Sequence, residues 1–179
     1  MKVRNLISLT ACVLLSFGAV TAQNNPALKF TSLYTDLKTG CKTLKGYKGT
    51  DNAYICQGAG DYQVRIFYSA ASSFINAERK GTDKFANLAA LSLDTEERKI
   101  TLEWRLADGK PFAVIMRVPI YTPWVVEGEY YGKVIGQRLI VRGLLGFEEK
   151  VKGEVNTKKA RANEKARALA DNGYLGSLN

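Results

Sequence analysis

The sequence predicts an α+β fold, a mostly antiparallel, sandwich-like β domain with one C-terminal helix. Short runs of alternating apolar and polar residues, separated by glycine-rich turns, recur through most of the chain. An alanine-, lysine- and arginine-rich stretch with helical spacing follows them. The chain has 179 residues, of which 46% are hydrophobic and 24% charged, a composition that excludes a disordered protein. Because no repeat or linker divides it, residues 23–179 are expected to form a single domain.

The first 22 residues predict a secretory signal peptide. Lys2 and Arg4 supply a positive start, and the following stretch 6–20 is apolar and uncharged. We expect cleavage after Ala22, which leaves a secreted or periplasmic protein without a transmembrane segment. A lipoprotein-type box ends at Cys12, but the apolar run continues beyond it, which disfavours lipidation.

Two cysteines remain after this cleavage, Cys41 and Cys56. An even pair in an exported chain predicts a disulfide, and closing a loop of this length stabilises the fold by about 3 kcal/mol in the loop-entropy model. A redox couple usually has the spacing C-x-x-C, and a thiolate metal site lacks further cysteine or histidine ligands here. The pair is therefore predicted to be structural.

The elements before residue 100 are predicted from alternation and turn residues. Residues 28–37 fit a short helix or a strand, and the glycine- and lysine-rich stretch 39–52 is predicted as a loop. A Gly-rich turn is predicted at 58–61. The element at 85–93 stays open between helix and strand, because helical spacing and alternation fit it equally well. The strands expected here are 53–57, 62–68 and 73–79.

The clearest local signal is a β-hairpin around Asp108-Gly109. Four apolar residues between 100 and 106 alternate with polar ones before this turn, and the apolar strand 112–118 follows it. Pro119 is expected to end that strand and to begin a long aromatic-rich loop at 121–132. Two further strands are predicted, at 134–142 and 147–155.

The C-terminal helix is predicted over residues 156–172. Alanine and leucine recur there at spacings of three and four residues. Asn156 or Thr157 can cap its start, and Gly173 stands where a helix commonly ends.

The chain contains no histidine. This excludes Ser-His-Asp and Cys-His catalysis and every histidine-ligated metal site. Paired carboxylates remain for hydrolytic chemistry, and Glu127 and Glu129 stand in the aromatic loop beside Trp124, Tyr130 and Tyr131, whose rings could stack on sugars. Because nothing in the sequence indicates a raised carboxylate pKa, we predict a solvated loop, no enzymatic activity, and neither cofactor nor metal.

Basic residues cluster in two segments and are the candidates for binding an anionic partner. The formal net charge is +9. Such clusters attract anionic envelope polymers or lipid headgroups, and salt weakens the attraction. A solvated basic face without a dedicated partner is the alternative. Nucleic acid is not expected in an exported protein without a nucleic-acid motif, and we expect a monomer. The candidates are Lys38, Lys42, Lys45 and Lys48 in the first segment, and Lys158, Lys159, Arg161 and Lys165 in the second.

Three segments together resemble a group of small, exported, uncharacterised bacterial proteins. They are Tyr54-Ile55-Cys56-Gln57-Gly58-Ala59-Gly60-Asp61-Tyr62-Gln63-Val64, the hairpin with Trp104-Arg105 and Gly109-Lys110-Pro111-Phe112-Ala113-Val114-Ile115-Met116-Arg117, and the C-terminal helix. This resemblance implies compartment and fold and carries no activity. The sequence at 54–58 is also similar to a strand entry of the secreted lysozyme-inhibitor proteins, which are small disulfide-braced β domains. The Ser-Gly-x-x-Tyr segment that carries inhibition in that family has no counterpart in this chain.

The expected function is therefore binding without catalysis, by an exported protein associated with the cell envelope. The first alternative is inhibition of a secreted hydrolase such as lysozyme. The second is a carboxylate-dependent glycan hydrolase that uses Glu127 and Glu129.

Overall fold

A computed structural model of the chain describes residues 28–45, 52–69, 72–92, 100–122 and 133–178. Within them, ten strands form two five-stranded antiparallel sheets, and one helix follows near the C-terminus, which confirms the predicted fold class. The elements are β1 (Phe30–Asp36), β2 (Lys42–Lys45), β3 (Asn52–Gln57), β4 (Tyr62–Tyr68), β5 (Ser72–Arg79), β6 (Phe85–Ser92), β7 (Thr101–Ala107), β8 (Lys110–Tyr121), β9 (Val134–Gly143), β10 (Lys152–Asn156) and α1 (Ala162–Leu175).

The two sheets differ in how the chain builds them. Sheet B has the strand order β2-β3-β4-β5-β6, in which every strand pairs with its neighbours in sequence. Sheet A has the order β1-β7-β8-β9-β10, so that β1 pairs with a strand far along the chain, Phe30 lying opposite Ala107 and Asp36 opposite Thr101. The stretch 28–37, which the sequence left open, is thus a strand because β7 offers it an antiparallel partner.

Sheets A and B pack face to face over the main apolar core. Tyr62, Val64 and Ile66 alternate along β4 and enter this core, as the sequence pattern predicts. Trp104 of β7 faces them and is fully buried. Its indole N–H donates to Thr35 Oγ1 at 2.8 Å, so the ring buries its large apolar surface without leaving its polar atom unpaired.

Helix α1 covers the opposite face of sheet A. Ala113 and Ile115 of β8 share a second apolar cluster with Ala166 and Ala170 of the helix, whereas the intervening Val114 belongs to the core between the sheets. Sheet A is therefore buried on both faces. This explains why β8 has a continuous apolar run instead of an alternating one.

The predicted disulfide is present and joins Cys41 to Cys56. It links the residue before β2 to β3, next to the Lys42–Ile55 register pair. The predicted hairpin is also confirmed, since Asp108 (φ 47°) and Gly109 (φ 78°) both adopt the positive φ of a two-residue type I′ turn.

Two predictions were wrong in their bounds or type, and one stretch that the sequence left open is a strand. The predicted loop 39–52 contains β2, because this short segment pairs with β3. The open stretch 85–93 contains β6, a strand held by β5. In the last predicted strand, only Lys152–Asn156 is extended, because residues 147–150 form turns that bring β10 back beside β9.

Pro119 does not end β8, which continues to Tyr121. Gln137, its register partner on β9, accepts from Thr157 N on the far side, so this pair exchanges no hydrogen bonds. The nitrogen of Pro119 therefore points away from β9, toward the side on which β7 pairs with β8. Strand β7 does not extend as far as Pro119, so the missing N–H group leaves no carbonyl of β7 without its partner.

The helix differs from the predicted 156–172 at both ends. It begins at Ala162, because Asn156 belongs to β10 and Arg161, with φ 56°, holds the N-cap position. Neither predicted cap acts as one, and Thr157 Oγ1 donates instead to Gln137 O at 2.8 Å.

At its other end the helix passes through Gly173 and stops at Leu175. A Cβ atom at Gly173 would lie 2.6 Å from Lys150 O and 3.1 Å from Val151 Cα. The glycine therefore serves the close approach of helix and turn, and it does not terminate the helix.

Candidate functional site

One end of sheet A carries cations at both of its edges. The register across β7, β8 and β9 places the C-terminal ends of β1 and β10 at the same end of the sheet. Lys38 lies two residues after β1, and Lys158 and Lys159 follow β10. Four strand spacings of roughly 4.8 Å separate the two edges by about 19 Å. We call this end, defined by Lys38, Lys158 and Lys159, the basic end.

The lysines of the basic end are exposed to solvent. Among the described ion pairs, none engages Lys38, Lys158 or Lys159. Arg161 is different, because its Nε lies 2.6 Å from Glu164 Oε2 and its charge is locally balanced. Lys165, in the first turns of α1, is exposed and adds to the same end.

The other basic candidates are placed differently. Lys42 and Lys45 are exposed on β2, the edge strand of sheet B, and their spacing of three turns their side chains to opposite faces. They therefore do not form one patch with each other. Lys48 lies outside the described residues, and so do the five residues of the aromatic-loop hypothesis, Trp124, Glu127, Glu129, Tyr130 and Tyr131. The predicted signal peptide and Cys12 also lie outside them.

Strands β8 and β9 continue past the basic end as a two-stranded ribbon. Strand β7 begins at Thr101, next to the Leu102–Met116 pair, and β10 ends at Asn156, opposite Arg138. Beyond this level, the described pairing of residues 119–122 is with residues 133–137, and Thr157 still hydrogen-bonds to Gln137 O at the base. At about 3.4 Å per residue, the ribbon extends roughly 10–14 Å beyond the neighbouring strands.

The ribbon has an apolar surface with cations at its base and at its far end. Val134 and Ile135 are 58% and 56% exposed. Arg117, at the base, is exposed and donates to Gln137 Oε1 at 3.4 Å, and Lys133 is exposed at the far end. Sequence reasoning missed this ribbon because Pro119 was interpreted as a strand end; the available signal was the apolar start of the next predicted strand.

Two ion pairs attach α1, and with it Lys165, to sheet A, and each element contributes one acidic and one basic residue to them. Arg105 Nη2 lies 2.7 Å from Asp171 Oδ2, and Arg167 Nε lies 2.6 Å from Glu103 Oε1. Four residues of helix advance about 6.0 Å and two residues of strand about 6.7 Å, so the two spacings match when the helix follows β7. The helix thus runs from the basic end toward the opposite end of the sheet.

A serine completes this polar layer. Ser32 Oγ donates to Glu103 Oε1 and accepts from Arg105 Nη1, each at 2.6 Å. The hydrogen bond to Glu103 raises the pKa of the Arg167 guanidinium above its usual value, and Tyr34 OH adds a further bond at 2.8 Å. The polar residues Glu103 and Arg105 of β7 are thus covered by opposite charges from α1.

A cleft of about 460 Å³ lies at the end of the molecule away from the basic end. Two of the three segments quoted for the resemblance line it, through Gly60 and Pro111, and Tyr174 of α1 lines it as well. Tyr174 stacks on Phe147 with ring centroids 5.2 Å apart, so part of the lining is structural aromatic packing.

The polar side of the cleft is an ion pair between Arg79 Nε and Asp61 Oδ2 at 2.9 Å. Burial raises the pKa of the neighbouring Tyr62 phenol above its ordinary value.

In the part of the chain that the structure describes, no group of three or more acidic or cysteine side chains could hold a metal ion. The helix found there is also too short and too polar to cross a membrane.

Comparisons of the chain with protein-family models, with curated proteins and with solved structures found no match. The resemblances to exported bacterial proteins and to lysozyme inhibitors therefore stay predictions from motifs.

Proposed function

We propose that this protein binds an anionic surface of the cell envelope through its basic end and catalyses no reaction. The observation that carries the proposal is the register of sheet A, which brings Lys38 to the same end as Lys158 and Lys159. Each of these ammonium groups is exposed and has no carboxylate partner among the described ion pairs. A secreted or periplasmic location is part of the proposal, and the disulfide supports it, because such bonds persist in oxidising compartments.

The arrangement suits an extended anion better than a small one. Cations about 19 Å apart along one end meet successive charges of a polymer or a lipid surface, whereas a single phosphate reaches one of them. Attraction of this kind is additive over the cations and is screened over about 8–10 Å at physiological salt.

The test measures binding of the disulfide-bonded protein to inorganic polyphosphate, a lipid-free polyanion. We expect affinity to fall steeply between low and physiological salt. The variant Lys158→Gln, Lys159→Gln should bind several-fold more weakly. Lys84→Gln, Lys110→Gln is the matched control, because it removes the same charge from exposed lysines placed toward the cleft.

Two results contradict the proposal. One is absence of polyphosphate binding at low salt. The other is an equal loss of affinity in the two lysine variants, which would show that net charge acts without a located surface. Inhibition of a secreted hydrolase and hydrolysis by Glu127 and Glu129 stay sequence predictions, and no described contact favours either.

A further inference from the structure

We infer that the outer edge of β1 is a dimer interface, through which a second copy of this chain extends sheet A by antiparallel strand pairing. Strand β1 is the first strand of sheet A, and β7 is the strand that pairs with it in the described structure. The inference is independent of the proposed function. A dimer differs from the monomer expected from the sequence, because an unpaired strand edge is recognisable only once the pairing of β1 is known.

The first argument is the set of backbone groups that β1 directs away from β7. The Leu37 N–H donates to Ile100 O at 3.1 Å, and the Asp108 N–H donates to Lys29 O at 3.0 Å. Because the register between these two bonds is unbroken, the odd-numbered residues of β1 bond to β7 and the even-numbered residues face outward. None of the outward N–H and C=O groups has a hydrogen bond among those described, so together they form a template for another strand. The outward residues are Phe30, Ser32, Tyr34 and Asp36.

The second argument is the contrast between β1 and the other three edges of the described sheets. Strand β2 has only four residues, and Lys42 and Lys45 are two of them. Strand β10 carries Lys152 and Glu154, and β6 has an irregular register with β5. Short length, charges and bulges are features that keep sheet edges from pairing with other chains. Strand β1 has seven residues without lysine, arginine or proline, its register is unbroken, and its single charge, Asp36, lies at its end.

The third argument is that β1 is complementary to itself. The antiparallel register centred on Leu33 is the one that pairs every outward residue of one copy with an outward residue of the other. Ser32 then lies opposite Tyr34, and Phe30 lies opposite Asp36, so no like charges meet. Leu33, which is 43% exposed, lies opposite its own counterpart, and the pairing removes apolar surface of both side chains from water.

This symmetry favours a second copy over an unrelated strand. A two-fold axis through the Leu33 pair repeats every contact, so the same seven residues satisfy both edges and close the assembly as a dimer. The axis also makes the register measurable. The two Leu33 residues form a non-hydrogen-bonded pair, whose Cα atoms lie about 4.5 Å apart, within the range that a disulfide spans. Thr31 is exposed on the same face but lies opposite Thr35, which leaves the two Thr31 residues about 14 Å apart.

The first experiment introduces one cysteine at a time into the otherwise unaltered, disulfide-bonded protein. Leu33→Cys and Thr31→Cys are oxidised under the same conditions, and the covalent dimer is measured by non-reducing gel electrophoresis, with the unaltered protein as the baseline. We expect Leu33→Cys to form the dimer at least about 10-fold faster than Thr31→Cys, because only the first pair lies within disulfide distance. Equal rates would indicate random collision and overturn the inference, and a faster Thr31→Cys would exclude the register centred on Leu33.

The second experiment measures reversible association by sedimentation equilibrium over a range of protein concentrations. Leu33→Lys places two ammonium groups opposite each other and should weaken dimerisation at least about 10-fold. Leu178→Lys is the matched control, because it makes the same change at a leucine that is 62% exposed beyond α1, and it should leave dimerisation unchanged.

Thermal denaturation checks that each variant is folded, and the cysteine variants decide the question if Leu33→Lys is not. The inference is wrong if the unaltered protein remains a monomer at about 100 μM, or if the two lysine variants lose the same affinity. The proposed function stands in either case, because binding of polyphosphate at the basic end does not require the pairing of β1.

Discussion

Removing the carboxylate of Asp171 tests how much the Arg105–Asp171 ion pair contributes to the docking of α1 on sheet A. Asp171 accepts three hydrogen bonds from Arg105, at 2.7, 2.9 and 3.0 Å. The Arg105 side chain is only 7% exposed. In the variant Asp171→Ala the guanidinium stays buried on sheet A and, of its described side-chain hydrogen bonds, keeps the one to Ser32.

The expected cost follows from that burial. Truncating one partner of a buried ion pair leaves an uncompensated charge and usually costs about 3–5 kcal/mol. Asp171 is 21% exposed, so water entering its place would solvate part of the charge, and we expect the lower value of about 3 kcal/mol. For a chain of this size that corresponds to a decrease in melting temperature of roughly 10 °C.

The assay is urea denaturation of the disulfide-bonded protein, followed by circular dichroism. Glu164→Ala is the control, because it breaks the Arg161–Glu164 pair, whose side chains are 78% and 54% exposed, and should cost less than about 1 kcal/mol. The double variant Arg105→Met, Asp171→Ala removes the orphaned charge and should recover part of the lost stability. The reasoning is refuted if Asp171→Ala costs no more than Glu164→Ala, or if the double variant recovers nothing.

Two further predictions concern the helix and the acid limit of stability. Gly173→Ala should lower the free energy of unfolding by about 2 kcal/mol, because the clash of its Cβ with backbone atoms of Lys150 and Val151 outweighs a helix-propensity gain of about 1 kcal/mol. The control is Asn172→Ala at the exposed neighbouring position, which should be neutral or slightly stabilising. A gain in stability for both variants would contradict the packing argument. Hydrogen bonds from Thr39 and from the Lys38 N–H lower the pKa of Asp36 below 3.8, so its stabilising effect is complete above that pH and disappears as pH falls through the lowered value. Asp36→Asn should therefore flatten the dependence of the free energy of unfolding on pH in this acid range. If denaturation measured at several acid pH values shows the same pH dependence in the variant, these hydrogen bonds do not stabilise the fold.

The parts of the fold that sequence predicted correctly depend on neighbouring residues. Alternation in β4, the Asp108-Gly109 turn and an even cysteine pair each carry their own signal within a few positions. The pairing of β1 with β7 has no such signal, because its partners are about 70 residues apart in sequence.

Misplaced boundaries have the same origin. Gly173 fits a helix end by local rules, but the helix continues because contacts with Val151 favour a residue without a side chain. Glu103 fits a solvated strand face, but Arg167 from the C-terminal helix covers it. In both cases a partner distant in sequence decides the outcome.

The candidate site, too, could be predicted from local sequence only in part. Composition identifies the lysines of the two basic segments, and those that the structure describes are exposed. Their placement at one end depends on four successive strand registers, and the ribbon depends on where β7 and β10 stop. Neither quantity is encoded in a short window of sequence.

The pairing of β1 with β7 has a consequence for the order of folding. All of sheet B lies between these two strands, so β1 has no partner while the ribosome is still producing residues 37–100. Sheet B can form early from neighbouring strands, whereas sheet A requires a long loop to close first, at a cost in chain entropy. A high contact order in sheet A therefore makes its completion a late and slow step. The basic end, which is defined by both edges of that sheet, is complete only when β1 has paired with β7 and β10 with β9.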